Sequence, residues 1–353
     1  APLDDLDLPV SLGQDDLTVE DAGDDTEAAS NTNSPTPDSI SNPIGPNATA
    51  VEAARAAFSR KEVAKSLELL TIAKAQDPAL PPPRLILADM YFQAGARVAG
   101  RALLEQVAVE DPSHPELWRM LGSVALSDRR WTEAILHFNR GLELPPPAVW
   151  KPRQQQTFVF SCKRGLAAAL EQRNDLHGAA RVLGEMAEMA PAESQLRDRY
   201  ASVLFRADMK DKAYEQFKIA YLRDNSAAPP ELSMGVLYVQ AGDLSAGERW
   251  FARALKNYPS SALVHFQIAV AFMVQDRAVD SAKHSAQAAK LGMDSADLDI
   301  VRGYAARQLR HYEIAEQFFR AVLKEKPEDS TATNELARGW IEQDDPEKQT
   351  EEL

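Results

Sequence analysis

The sequence predicts an all-α protein in which pairs of helices repeat along the chain. Prolines recur at intervals of 34 or 68 residues, with one interruption, at Pro78, Pro112, Pro146, Pro191, Pro259 and Pro327. In the same register, nine positions carry only alanine or glycine: Ala54, Ala88, Gly122, Ala167, Ala201, Gly235, Ala269, Gly303 and Ala337. Small residues at so long a fixed interval indicate a repeated supersecondary unit. Strand patterns are missing from the sequence, so the repeated unit is predicted to be helical.

Two further columns indicate that each period contains two helices. Twelve residues after the first small column stands a second: Ser66, Gly100, Ala134, Ala179, Ala213, Gly247, Ser281 and Ala315. Four residues later comes a column that is large and apolar except at Ser285: Leu70, Leu104, Phe138, Leu183, Phe217, Phe251, Ser285 and Phe319. Because side chains at a crossing set the distance between helix axes, two small columns predict two closely crossing helices. One pair cannot bury its apolar face alone, so neighbouring pairs must stack into a solenoid.

The third period carries a recognisable motif. It reads Trp118-x2-Leu121-Gly122-x2-Ala125, then Ala134-x3-Phe138, then Pro146. This arrangement resembles the tetratricopeptide-repeat (TPR) signature. The resemblance covers eight periods: 47–80, 81–114, 115–148, 160–193, 194–227, 228–261, 262–295 and 296–329. It implies an all-α, right-handed superhelical solenoid of stacked antiparallel helix pairs, with about eight TPR units and a C-terminal capping helix.

The period also defines the domain organisation. We expect an acidic disordered or extended tail at 1–46, TPR repeats 1–3 at 47–148, an insert at 149–159 and TPR repeats 4–8 at 160–329. A capping helix at 330–343 and a polar C-terminal tail at 344–353 complete the chain.

Two departures from the period have structural interpretations. The insert fits either a loop that alters the superhelical pitch or a lip beside the groove with Trp150 exposed, and Pro152 suits the start of a lengthened next helix. In the seventh repeat, Met293 replaces the closing proline and Ser285 occupies the large column. We therefore expect that repeat to be the least regular.

Charge and composition exclude several function classes. Residues 1–46 hold eleven acidic residues and no Lys or Arg, so the remainder has 39 basic against 42 acidic residues and is nearly neutral. No basic stripe is available for phosphates, which disfavours nucleic acid as a partner. The longest apolar stretch, 262–274, is too short for a membrane span. The start at Ala1-Pro2 slightly favours an exported or periplasmic protein over a cytoplasmic one.

Catalytic and cofactor chemistry is not expected. Repeats, tail and insert account for the whole chain, which leaves no room for a catalytic domain. No two of the six histidines share a helix at ligand spacing, so we expect no metal site and no cofactor. Cys162 has no histidine next to it in the sequence, and we expect it to be unreactive.

The resemblance also implies where a partner binds, because helix A, the first helix of each TPR pair, lines the concave face. In repeats 6–8 the corresponding positions form an apolar set: Leu232, Val236, Val239, Leu263, Phe266, Val270, Met273, Ile300, Tyr304 and Arg307. The helix 262–274 is apolar on nearly every side and must be covered on both faces, yet one face is expected to have no partner within the chain. A peptide or helix, closure of the superhelix or a neighbouring subunit would each cover it.

The sequence therefore predicts a non-catalytic scaffold or adaptor that holds a protein or peptide partner in its concave groove. The alternative is a structural subunit of an oligomer or envelope-associated assembly, in which the same apolar surface mediates permanent self-association. The acidic tail provides a second contact, or docks intramolecularly through residues 1–20 and competes for the groove.

Overall fold

A computed structural model describes residues 48–224 and 227–343, and all of their regular secondary structure is α-helical. The chain divides into two compact units, the first ending at Pro191 and the second beginning at Ala192. The N-terminal unit contains α1 (Ala48–Ser59), α2 (Val63–Gln76), α3 (Pro83–Gln93), α4 (Arg97–Glu110), α5 (Pro115–Ser127), α6 (Trp131–Glu143), α7 (Pro152–Gln172) and α8 (Leu176–Met189). The C-terminal unit contains α9 (Ser194–Arg206), α10 (Lys210–Arg223), α11 (Pro230–Gln240), α12 (Leu244–Asn257), α13 (Ala262–Val274), α14 (Ala278–Lys290), α15 (Ala296–Gln308), α16 (Tyr312–Glu325) and α17 (Ser330–Glu342). The expected tails at 1–46 and 344–353 lie outside the described residues.

Consecutive helices pack as pairs, α1 with α2 through α15 with α16, and the pairs follow the predicted repeats. We call the first helix of each pair helix A and the second helix B. A turn of three residues joins helix A to helix B, so the two helices run antiparallel. The capping helix α17 packs against α16 and α15. The all-α fold class, with helix pairs packed as in TPR solenoids, is therefore confirmed.

The turn inside every pair contains one residue in the left-handed backbone region. These residues stand at the same register position in all eight pairs: Lys61, Gly95, Arg129, Asn174, Asp208, Gly242, Asp276 and Arg310. In the fifth helix, for example, the N–H of Arg130 donates to the carbonyl of Ala125 at 2.8 Å, which satisfies a carbonyl at the helix end. A left-handed residue followed by this bond is the Schellman arrangement that reverses the chain into helix B.

The described helices accommodate the free backbone N–H groups at their N-termini in two main ways. Proline opens four helices A, where its missing N–H costs nothing: α3, α5, α7 and α11. Asp or Ser side chains accept a backbone N–H at the start of five other helices: α8, α12, α13, α15 and α17.

The core of each pair is built where a large side chain of helix B meets a small residue of helix A, sixteen positions earlier. None of the eight large-column residues is more than 4% exposed. At Gly122, Gly235 and Gly303 the partner is always a phenylalanine, and an added Cβ would lie 2.5–2.7 Å from the ring. Where the small residue is Ala54, Ala88 or Ala167, the partner is leucine. Glycine in this column thus makes room for an aromatic ring at three of the four phenylalanine crossings, and the fourth pairs Phe217 with Ala201.

The seventh repeat closes differently from the others. Its crossing pairs Ala269 with Ser285, both fully buried, so no large side chain fills this position. Helix α14 ends without a proline, and Gly292 adopts a left-handed conformation with φ 92°. The N–H of Met293 then donates to the carbonyl of Ala288 at 3.1 Å. A glycine cap thus replaces the proline that stops the equivalent helix elsewhere.

The insert is mostly helical, which corrects its interpretation as a loop. Helix α7 begins at Pro152 and runs for 21 residues, so residues 152–159 lengthen helix A of the fourth repeat. Trp150 is half-buried rather than exposed. Its ring lies 5.9 Å from the ring of His114 and 5.3 Å from that of Phe158, which fixes the connection to the preceding repeat.

We expect Gly303→Ala to destabilise the protein by about 1–3 kcal/mol, the range for overpacked cores. The new methyl group would meet the Phe319 ring at 2.6 Å. Gly339→Ala is the matched control, because its Cβ meets only the Arg307 side chain at 3.9 Å. The control should be neutral or gain up to about 1 kcal/mol from helix propensity. Urea denaturation measures both, and equal stability of the two variants would show that the ring does not define this crossing.

Candidate partner-binding groove

The helices A from α11 onward form a continuous layer that α17 completes. Helix α11 contacts α13, α13 contacts α15, and α15 contacts α17. Each of these four helices also packs against the helix B that precedes it. Much of the surface of each helix A is therefore covered by other helices of the same unit.

This layer contains the ten predicted binding residues, and most of them are buried. Seven are at most 6% exposed: Leu232, Val236, Val239, Met273, Ile300, Tyr304 and Arg307. Leu263, Phe266 and Val270 are half-buried. Leu232, Val236 and Val239 share one core cluster with residues of α12 and α13. The apolar character of this set thus reflects packing between helices as well as any open surface.

The face of α13 that was expected to lack a partner within the chain has one, which corrects that expectation. Met273 and Ala269 form a cluster with Val301 and Tyr304 of α15. Phe266 and Val270 pack against the edge of this cluster and keep part of their surface accessible. One turn further along the same side, Val274 is 51% exposed. We call Phe266, Val270 and Val274 the α13 stripe.

An open cleft of about 460 Å³ lies at the C-terminal end of this layer. Its lining comes from α15, α17 and the turn after α13: Asp276, Tyr304, Arg307, Gln308, Arg338, Ile341 and Glu342. Six of these seven residues carry a polar or charged group, and the seventh, Ile341, is 65% exposed. Sequence analysis identified Tyr304 and Arg307 and missed the other five. Arg338 and Ile341 stand 34 residues after Tyr304 and Arg307, so extending the register into α17 would have found them.

Hydrogen bonds hold the wall of the cleft in place. The Tyr304 hydroxyl donates to Asp276 Oδ1 at 3.3 Å and accepts from Gln308 Nε2 at 3.1 Å. Burial raises the pKa of Tyr304, which keeps the phenol protonated and able to donate. The turn after α13 is thereby linked to α15, so the cleft has a defined shape.

Arg307 has a structural role that the sequence did not reveal. Its Nε donates to Glu335 Oε2 at 2.8 Å, and its Nη1 pairs with Glu342. Arg307 is 5% exposed and Glu335 is 1% exposed. Arg338 Nη1 reaches the other oxygen of Glu335 at 3.0 Å. This network attaches α17 to α15, so Arg307 presents little surface to a partner.

The corresponding face of the N-terminal unit is polar. Arg55 Nη1 donates to Gln93 Oε1 at 3.0 Å, and Gln93 Nε2 donates to Asp89 Oδ2 at 2.8 Å. Burial raises the pKa of Asp89 to about 6, against the opposing effect of Arg55. Burial of this kind disfavours the charged form of the carboxyl group.

Among the described residues, no group of three or more His, Cys, Asp and Glu side chains is arranged to hold a metal ion. Cys162 is buried, and burial raises the pKa of its thiol far above the usual range. Sequence analysis missed one close pair, because His265 and His284 lie on different helices of one repeat and meet in space. Among the described helices, none combines the length and apolar composition that a membrane crossing requires.

Stacked helix pairs with a constant register define the class of helical repeat proteins. The tetratricopeptide-repeat family model matches residues 85–149 in the N-terminal unit and 232–296 in the C-terminal unit. Both units therefore contain tetratricopeptide repeats. No curated protein matches the sequence at a significant level.

Several solved structures are similar to this chain. A tetratricopeptide-repeat protein from Parabacteroides merdae is 12% identical, with 83% of this chain and 98% of that chain covered and a TM-score of 0.38. Yeast Tom70 is 10% identical, with 86% and 90% covered and a TM-score of 0.40. Pseudomonas aeruginosa pilF is 13% identical, with 65% and 98% covered and a TM-score of 0.32. Similarity at this level carries no argument about function.

We expect Arg307→Met to destabilise the C-terminal unit by about 3–5 kcal/mol, because it leaves the buried carboxylate of Glu335 without its main partner. Arg338→Met is the matched control. It removes a cation that is 49% exposed from the same carboxylate, and should cost at most about 1 kcal/mol. Thermal melting gives the stabilities, and hydrogen exchange in α17 shows whether the helix detaches. Equal effects of the two substitutions would contradict the assigned role of Arg307.

We expect Asp89→Asn to stabilise the protein at pH 7.5 and to have little effect below about pH 4. The folded pKa of about 6 exceeds the usual value of 3.8, so the folded chain binds the proton more tightly than the unfolded chain. The contribution of Asp89 to stability is therefore complete at low pH and is lost as the pH rises through about 6. Melting temperatures measured against pH test this, with exposed Asp211→Asn as the control. A pH-independent effect of Asp89→Asn would contradict it.

Proposed function

We propose that this TPR protein is a non-catalytic scaffold or adaptor that binds a peptide or helix of a partner protein. The binding surface lies on the helix-A layer of the C-terminal unit and extends from the α13 stripe to the cleft at α17. The observation that carries the proposal is the exposure of two large apolar side chains, Val274 and Ile341, within a polar surface. TPR proteins serve as protein–protein interaction scaffolds, which agrees with this function.

The chemistry of the surface favours a polypeptide over a small molecule. The α13 stripe provides an apolar strip whose members are four residues apart and share one helix face. Beside it, Asp276 and Glu342 provide acceptors and Arg338 provides an exposed donor. An apolar strip beside charged groups fits a segment that carries one or two apolar anchors and polar residues between them. The cleft alone is open to solvent, unlike the enclosed pockets that bind small ligands.

The surface proposed here is smaller than the set inferred from the sequence. Leu232, Val236, Val239 and Ile300 lie in core clusters, so they support the layer from within. Leu263, Phe266 and Val270 retain partial exposure and remain candidates for contact. The binding role of the ten residues is thus divided between a small accessible group and a larger supporting group.

The alternative function uses the same exposed residues for permanent self-association in an oligomer. Val274 and Ile341 would then contact a second copy of the chain. Residues 1–20 of the same chain are the third candidate occupant of this surface. If they dock there, removal of the tail should tighten partner binding. These occupants differ in how they depend on protein concentration and on the tail.

We expect the double substitution Val274→Asp and Ile341→Asp to abolish partner binding without unfolding the protein. Both side chains are at least half exposed, so the introduced charges remain hydrated and cost little stability. The matched control is Val279→Asp with Ile314→Asp, which places two charges at exposed apolar positions on the helices B α14 and α16. Affinity capture from a lysate of the source organism, followed by mass spectrometry, compares the wild-type chain with both variants.

The proposal requires proteins that the wild-type chain and the helix-B variant retain and the groove variant loses. If both variants retain the same proteins, the groove is not the binding surface. Light scattering of the wild-type chain at several concentrations tests the alternative. An oligomer that dissociates only in the groove variant would identify self-association as the function of this surface.

A further inference from the structure

Two imidazole rings meet between the helices of the seventh repeat. His265 lies in the first turn of α13 and His284 in the middle of α14. Their Nδ1 atoms are 3.0 Å apart, and the ring centroids are 5.3 Å apart with an angle of 30° between the planes. Both side chains are half-buried, so each ring keeps one side accessible to water.

The environment favours the neutral form of both rings. Burial lowers the pKa of His265, and burial together with the neighbouring His265 ring lowers the pKa of His284 to about 4. In a neutral pair, one Nδ1 carries a proton and donates it to the lone pair of the other. The backbone at Pro259 also hydrogen-bonds the His265 ring. A carbonyl in that position commonly fixes the tautomer of a metal-ligating histidine.

We propose that His265 and His284 bind one divalent late transition-metal ion through their two Nδ1 atoms, with water completing the coordination. Binding replaces the hydrogen bond between the rings. The ring that carried its proton on Nδ1 takes the other neutral tautomer, with the proton on Nε2. No proton is released overall, because both imidazoles are neutral before and after.

Metal binding requires the two rings to turn. The centroid separation of 5.3 Å exceeds the Nδ1 separation of 3.0 Å by about twice the distance from a ring centre to its nitrogen, so the two Nδ1 atoms face each other along one line. A shared ion needs both lone pairs to converge on one point away from that line. Imidazole nitrogens suit late transition metals, and affinity rises through Ni²⁺ to Cu²⁺. We therefore expect Ni²⁺ and Cu²⁺ to bind in preference to ions that prefer oxygen ligands.

The described residues around the pair supply no further ligand, and one of them adds a positive charge. The ring of Phe272 lies 5.8 Å from the ring of His284 and covers one side of the pair. The nearby Asp280 carboxylate is paired with Arg277 at 2.6 Å. Lys283 adds a positive charge close to His284. The two imidazoles are therefore the only protein groups assigned to this ion.

Calorimetric titration of the full chain with Ni²⁺ at pH 7.5 tests the proposal, on protein that carries no histidine tag. We expect one ion per chain and an increase in melting temperature when Ni²⁺ is present. His265→Ala and His284→Ala should each weaken Ni²⁺ binding by at least about tenfold. Removal of a residue that only holds a metal ligand in place already causes a loss of about that size, and here the ligand itself is removed. The control His311→Ala changes an exposed histidine at the start of α16 and should bind like the wild type. Mg²⁺, which prefers oxygen ligands, should not bind.

Unchanged Ni²⁺ affinity in both alanine variants would overturn the proposal, as would the absence of saturable binding to the wild-type chain. Circular dichroism confirms that each variant keeps its helices. If one variant loses them, the other histidine carries the test, because each ring is a required ligand. Failure of this experiment leaves the proposed adaptor function unaffected, since the histidine pair lies outside the groove surface.

Discussion

The structure depends on the helix crossing inside each pair, where in seven of the eight pairs one large side chain meets one small residue. Phenylalanine packs on glycine at Gly122, Gly235 and Gly303, and leucine packs on alanine at three other crossings. The remaining two crossings pair Phe217 with Ala201 and Ser285 with Ala269. An enlarged small residue would have to displace a ring that is already enclosed, and close packing leaves no space for that displacement. Regular stacking of the pairs follows from this local constraint.

Stacking also determines which surface remains for binding. Because helices A contact one another as well as the helices B, an apolar residue at a lining position is often enclosed by the next helix A. Met273 illustrates this, since it packs with Tyr304 of the following repeat. The layer opens only where a repeat is missing on one side or where a turn leaves side chains uncovered. Val274 and Ile341 occupy such positions, at the ends of their helices.

Sequence periodicity predicted the fold well because it records packing between residues at fixed separations. Helix α13 begins and ends at Ala262 and Val274, the limits of the predicted apolar helix. The left-handed turn position could not be predicted, because Lys, Arg, Asn, Asp and Gly all occupy it and only the backbone is conserved between repeats. The pairing of Arg307 with Glu335 could not be predicted either, because 28 residues separate the two. The family's lining positions indicate on which helix face a residue lies, but not whether another helix covers that face. The sequence therefore indicated which residues lie in the helix-A layer, but not which of their side chains are exposed.

Helix α17 has two roles in this protein. It covers the apolar surface of the last pair through Leu336 and Trp340, and it also supplies Arg338 and Ile341 to the cleft. A shortened chain that ends before Ser330 would therefore lose a wall of the cleft together with the cover of its core. Domain boundaries for fragments or fusions must lie beyond Glu342 if the C-terminal unit is to keep its surface chemistry. In this protein the helix that covers the last pair also forms part of the proposed binding surface.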